Sequence, residues 1–209
     1  MLSSISKRNI FFIAIAAALV LLYIVPLGSY PLMEPDEGRY AEIPREMIES
    51  GNYITPMLNY VKYFEKPVFL LDKRRQPYLQ AEQFAARGTA LCALAGALAT
   101  GMLGAFIYGR IAGFIAGVVT ATSLLYFAIG TINITDMPLS FFLTLAFASF
   151  YAAHVKEEKK YYLLFNFACA MALLTKGLIG VVLPGAVIFH YLQKRELYAA
   201  HLPGMFFSR

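Results

Sequence analysis

The sequence predicts an all-α integral membrane protein of about six transmembrane helices, with a long first outer loop that carries interfacial helices. Three observations carry that expectation. The 209-residue chain is 59% hydrophobic and only 15% charged, and its mean hydropathy is +0.59; this is the composition of a polytopic membrane protein. Uncharged runs long enough to cross a bilayer recur along the chain. The short segments between those runs are basic on one side only, as the positive-inside tendency requires.

The first span is the uncharged run 9–33, preceded by Lys7 and Arg8. It is too long for an ordinary signal peptide and has no clear small-residue cleavage site. Residues 34–87 follow as a polar first outer loop with eight Lys/Arg and nine Asp/Glu. Within it, a turn is expected at 36–43 and a helix from Pro44, because proline suits a first helical position. Gly51 stops that helix. Met47 and Ile48 are expected to lie on the membrane while Arg45, Glu46 and Glu49 face water. Further spans are read at 88–109, 111–135 and 137–155. The apolar run 161–193 is too long for one helix and is split at Thr175-Lys176-Gly177 into a fifth and a sixth span. Gly109, Gly113, Gly117 and Ala121 recur every four residues, a small-residue face for a neighbouring helix.

With a cytoplasmic N-terminus, the short inner segments hold Lys7, Arg8, Arg110, Lys156, Lys159, Lys160, Lys194 and Arg195, and the short outer segments hold Lys176. The net charge of +5 is therefore orienting charge. It is not a nucleic-acid footprint, since the basic residues are scattered between apolar runs and not gathered on one face. Cys92 and Cys169 lie inside apolar runs without metal spacing, which favours packing. His154, His190 and His201 read as structural, and Tyr23, Tyr30, Tyr60 and Tyr63 as interfacial aromatics.

This topology gathers the reactive residues on the outer side. Asp36, Arg39 and Tyr40 stand at i, i+3 and i+4, so one helical turn presents a carboxylate, a guanidinium and a phenol on one face. Glu65 and Lys66 lie in the same loop, Asp136 in the turn between spans three and four, and Lys176 in the turn between spans five and six. The predicted span interiors carry no Asp, Glu, Lys or Arg. Transporters and pumps place ionisable groups at mid-membrane, so an enzyme on a lipid-linked substrate is favoured over a transporter. Each residue also has a plain structural role. Asp36 and Asp136 can cap helices, Lys66 can anchor at the interface, and Lys176 can snorkel.

The strings Asp-Glu-Gly-Arg-Tyr-Ala-Glu-Ile-Pro-Arg-Glu-Met at 36–47, Tyr-Phe-Glu-Lys-Pro at 63–67, Thr135–Leu139 and Leu174–Gly180 together resemble the bacterial lipid A aminoarabinose transferase family. That family belongs to the GT-C group of glycosyltransferases, which includes protein O-mannosyltransferases. The resemblance covers most of residues 10–195. It implies a glycosyltransferase moving a sugar from a polyprenyl-phosphate donor to an acceptor such as lipid A phosphate, at the periplasmic face of the bacterial inner membrane. It implies Asp36 as the principal catalytic carboxylate and Asp136 as the second. Glu37, Arg39 and Tyr40 would shape the substrate site, Glu65 and Lys66 would sit near the donor phosphate, and Lys176 would be a further phosphate contact. No cofactor is firmly implied, and a divalent metal is left open. The expected partners are the lipid-linked donor, the acceptor and the membrane, with no nucleic acid.

The chain departs from the family pattern in two places. After Glu-Lys-Pro the family has a second proline and an aromatic-rich amphipathic helix; here Val68–Leu71 gives way to Asp72-Lys73-Arg74-Arg75-Gln76-Pro77. Family members also carry more spans and a C-terminal soluble domain. Residues 1–209 therefore read as one GT-C-like transmembrane module, an N-terminal portion with the soluble domain absent. The alternative is a catalytically incomplete membrane fragment that binds a lipid-linked sugar or a partner chain.

Overall fold

The computed structural model describes residues 7–25, 42–43, 45–47, 49–52, 54–63, 78–132 and 134–201. The chain is mostly helical. In order it forms α1 (Lys7–Ile24), a hairpin of β1 (Met57–Leu58) and β2 (Val61–Lys62), then α2 (Tyr78–Tyr108), α3 (Arg110–Thr122), α4 (Leu124–Thr131), α5 (Asp136–Lys156), α6 (Lys159–Lys176) and α7 (Ile179–His201). Helix α2 packs on α3 and α5, α5 on α6, and α6 on α7, while α1 lies against α2, α3 and α4.

The packing reverses that of a water-soluble bundle. The buried positions are mostly small: Ala90, Ala93, Ala97, Ala121, Ala146, Ala153, Ala168 and Ala172. Large apolar side chains such as Leu98, Leu163 and Phe189 point outward. In lipid the outer surface gains nothing by being polar, and close backbone approach between helices supplies the cohesion. A Cβ added at Gly113 would lie 2.4 Å from the Ala105 nitrogen and the Gly101 carbonyl oxygen of α2. A Cβ at Gly180 would lie 2.4 Å from the Ala172 carbonyl carbon. Gly113 and Gly117 therefore belong to the expected packing face, but Gly109 does not. Nothing lies within 4 Å of its missing Cβ, and its φ of +92° makes it the turn between α2 and α3.

Among the described residues, two helices can cross a membrane by length and composition, Arg87–Tyr108 and Asp136–Lys156. The pair α3 and α4 makes a third if taken as one broken span, and Ile10–Ile24 and Ile179–Lys194 are shorter apolar helices. The third span expected over 111–135 is thus a broken pair of helices, bent by 61° between Thr122 and Leu124. The cause is local. Thr120 and Thr122 hydroxyls donate to the Ala116 and Val118 carbonyls at 2.8 Å, a back-bonding that bends helices. Ser123 then turns extended, with ψ 133°. The Tyr23 hydroxyl donates to the Ala121 carbonyl at 2.8 Å, satisfying an acceptor next to the break. Tyr23 is fully buried, with its ring edge-on to Phe127. It is a core residue, not the interfacial aromatic expected of it, because the bend opens a polar partner for its hydroxyl inside the bundle.

The segment between α1 and α2 has structure of its own. Residues 42–43, 45–47 and 49–50 are helical, so helix begins at residue 42, ahead of the start expected at Pro44, which itself lies outside the described residues. Gly51, at φ +67°, follows the last helical residue, as expected. The Asn52 side-chain oxygen accepts from the Ile54 and Thr55 amides at 3.1 Å, and the chain then enters the hairpin.

Candidate functional site at one end of the bundle

Asp136 is the first residue of α5 and Lys176 the last of α6. Asp136 follows the N-cap position, which Thr135 occupies. An acidic first turn and a basic last turn each complement the dipole of their own helix. Gly177, at φ +73°, terminates α6 just past Lys176. Because α5 and α6 are joined at their other ends through Glu157 and Glu158, the two charged ends meet. The Lys176 ammonium donates to Asp136 Oδ1 and the two form an ion pair. Their side chains are 36% and 47% exposed, so both remain accessible to a ligand headgroup. The turns at 131–136 and 175–177 therefore share one end of the bundle. At the opposite end, Lys156 lies 5.1 Å over the Phe106 and Tyr161 rings and donates to the Tyr161 hydroxyl at 3.0 Å.

Asp36, Glu37, Arg39, Tyr40, Glu65 and Lys66 lie outside the described residues. Immediately after Tyr40 and Ala41, the helical residues build a cluster that the sequence reading did not single out. Arg45 pairs bidentately with Glu42 and also with Glu49. Glu42, Arg45, Glu46 and Glu49 recur at i, i+3, i+4 and i+7, spacing that marks neighbours on a helix. The Arg45 hydrogen bonds hold the Glu42 carboxyl below its ordinary range, and those carboxylates push the Arg45 guanidinium further up. Glu46 overturns the amphipathic reading. It is 2% exposed, alongside buried Ile43 and Met47 at i−3 and i+1. Its two carboxylate oxygens accept from the Tyr60 amide at 3.2 and 3.0 Å. Glu46 therefore faces the hairpin, not water. Ile48 lies outside the described residues, and Glu49 is exposed as expected.

Among the described residues, no three His, Cys, Asp or Glu side chains gather as metal ligands would. What the arrangement offers is a carboxylate and an ammonium held at two helix ends. An ammonium there can meet an anionic oxygen through a charge-assisted bond.

Residues 9–200 match the dolichyl-phosphate-mannose-protein mannosyltransferase family. The chain is 34% identical over 198 residues to the undecaprenyl phosphate-alpha-4-amino-4-deoxy-L-arabinose arabinosyl transferase of Aeromonas salmonicida, covering 88% of this chain and 34% of that protein. It is 39% identical over 180 residues to transferase 1 of the same name from Proteus mirabilis, covering 81% and 32%. The fold is similar to crystal structures of ArnT from Cupriavidus metallidurans at 27% identity. The apo state gives a TM-score of 0.82 over 93% of this chain and 38% of that one. The state bound to undecaprenyl phosphate gives 0.79 over 94% and 37%. The chain spans about a third of the length of the curated relatives it matches.

Proposed function

This chain belongs to the dolichyl-phosphate-mannose-protein mannosyltransferase family, and from that premise we propose that it serves sugar transfer from a polyprenyl-phosphate donor at the periplasmic face of the bacterial inner membrane. The acceptor in this reading is lipid A phosphate. The chain crosses the membrane six times with its N-terminus in the cytoplasm, α3 and α4 together making one broken pass. The observation that carries the reading is the Asp136–Lys176 pair, built from two helix ends on one side of the bundle. A relative of the same fold binds undecaprenyl phosphate, which supports that donor class here.

The chemistry needs few groups. An acceptor phosphate oxygen attacks the anomeric carbon of the sugar. The bond from that carbon to the donor phosphate oxygen breaks, and polyprenyl phosphate leaves with the electron pair. Negative charge on the leaving phosphate is stabilised by Lys66, with Lys176 as a further cation. A phosphate acceptor is already nucleophilic, so Asp36 orients acceptor or sugar; a hydroxyl acceptor would need it as general base. Asp136 holds Lys176 and supplies the second carboxylate. Glu37, Arg39, Tyr40 and Glu65 line the substrate region.

The test uses the chain in lipid nanodiscs with undecaprenyl phosphate as probe. Lys66→Met keeps the apolar stem and removes the charge. Losing one charge-assisted contact costs about 1.5–3 kcal/mol, or roughly ten- to hundredfold in affinity, and Lys66→Arg recovers part of it. Unchanged binding in Lys66→Met reduces Lys66 to an interfacial anchor and removes the phosphate site from this reading. Asp36→Asn abolishes transfer to lipid A with membrane insertion intact. A second reading rests on the chain's one-third share of its relatives' length: a donor-binding module that does not complete transfer. Undecaprenyl phosphate binding by the unsubstituted chain without turnover selects it.

A further inference from the structure

The 59–60 turn poses a problem that Glu46 answers. Leu58 pairs with Val61 in the antiparallel register, leaving Asn59 and Tyr60 as a two-residue loop. Both have left-handed backbone, with φ +54° and +62°. That is the type I′ hairpin turn, which favours Asn-Gly. Asn59 suits its place. Tyr60 stands where glycine is preferred, and an aromatic residue there is strained. Such strain persists only where the surroundings over-determine it. In a two-residue turn the second residue's N–H has no partner within the ladder, and here both Glu46 oxygens accept it. A buried carboxylate is costly unless it is hydrogen-bonded and paired; Glu46 has the amide, with the Arg45 guanidinium 4.0 Å away.

We infer that Glu46 is a positioning residue that clamps the hairpin turn onto the helical segment 42–50. The inference deepens the proposed function and rests on it. The chain enters that helix two residues after Tyr40 and leaves the hairpin three residues before Glu65. One buried hydrogen-bonded contact thus ties together the two short segments that lead to Asp36–Tyr40 and to Glu65-Lys66. Tyr60 is itself 75% exposed, so burial of its ring does not hold the turn; the main-chain contact with Glu46 does, beside a side-chain hydrogen bond between Tyr60 and Arg45 that Glu46→Ala leaves in place.

The experiment measures undecaprenyl phosphate affinity in nanodiscs and amide hydrogen exchange at Tyr60 in the same preparations. Glu46→Ala weakens binding about tenfold and speeds exchange at Tyr60 by at least as much, equivalent to about 1.4 kcal/mol. Glu46→Gln keeps an acceptor oxygen and stays within about threefold of the unsubstituted chain on both readouts. Tyr60→Gly in the Glu46→Ala background restores binding, because glycine takes the left-handed turn without a clamp. Rescue separates register from bulk stability. Normal binding in Glu46→Ala overturns the inference, as does loss that tracks unfolding and is not rescued. If the unsubstituted chain does not bind undecaprenyl phosphate, the donor reading fails, and the clamp is judged on exchange alone: unaccelerated exchange at Tyr60 in Glu46→Ala sinks it.

Discussion

At the scale of single residues, magnitude separates structure from chemistry in the Asp136–Lys176 pair. Both side chains are more than a third exposed, and such pairs contribute only about 0–1 kcal/mol. Asp136→Asn should therefore shift unfolding by no more than about 1 kcal/mol while impairing transfer. A large loss of stability with transfer intact would make the pair a structural strut. The Arg45 cluster gives a pH prediction with a fixed sign. Hydrogen bonding from Arg45 lowers the Glu42 carboxyl below its usual 4.5. A depressed carboxyl adds stability that is present above the unfolded value and disappears as pH falls through the folded value. The 42–50 segment should hold at neutral pH and loosen below about 4.5. A nitroxide at Ile54→Cys, a position 92% exposed, in a Cys92→Ala/Cys169→Ala background should become more mobile over that range, and Glu42→Gln should reduce the amplitude. Mobility that stays flat down to strong acid, or loosens toward alkaline pH, contradicts the assignment. The pairing of Asp136 with Lys176 was legible only as two charged turns on one side; the sequence contains no sign of a contact spanning 40 positions. Glu46 was misread because helical periodicity tells which residues share a face, not what that face meets.

The helices themselves divide into features with local and non-local causes. Among the described residues, two of the expected spans stand as helices long and apolar enough to cross a membrane, at Arg87–Tyr108 and Asp136–Lys156, since a charge inside lipid is costly and that cost is visible in composition. The break at Ser123 is legible in principle, from the hydroxyl run Thr120, Thr122 and Ser123, but the apolar residues that flank it on both sides mask it as one continuous span. What completes the bend, the Tyr23 hydroxyl on Ala121, comes from a helix 98 residues away and has no local signature. Glycines sort in the same way. Gly113 faces the α2 backbone at distances that no Cβ tolerates. Gly113→Ala should destabilise the bundle by about 1–3 kcal/mol, the cost of overpacking. Gly185 lies within α7 with nothing within 4 Å of its missing Cβ. Gly185→Ala should be neutral or stabilise by up to about 1 kcal/mol through helix propensity. Detergent-induced unfolding of both variants checks the contrast, and equal effects would mean that α2 and α3 do not pack through Gly113.

For the whole molecule, the central prediction is that the reactive turns share a face and the basic turns share the opposite one. The ion pair brings the 131–136 and 175–177 turns to one end, and Lys156 over Phe106 and Tyr161 brings the ends of α2 and α5 and the start of α6 to the other. These contacts fix which turns go together. They do not orient the bundle in a membrane; the distribution of Lys and Arg does, because short basic segments stay on the cytoplasmic side. Helix packing and the distribution of basic residues are independent of one another, so one labelling experiment can contradict either. In a Cys92→Ala/Cys169→Ala background, Thr131→Cys and Leu178→Cys should react with a membrane-impermeant thiol reagent added from the periplasmic side, and Glu158→Cys only after permeabilisation. Leu178 is preferred to Gly177 because it is 76% exposed and lacks the left-handed backbone that would strain a cysteine at Gly177. Labelling of Thr131→Cys and Leu178→Cys from opposite sides would break the bundle topology. Labelling of both only after permeabilisation, with Glu158→Cys reacting from outside, would keep the bundle and invert it. The Asp136–Lys176 pair would then face the cytoplasm, and transfer at the periplasmic face would fail with it.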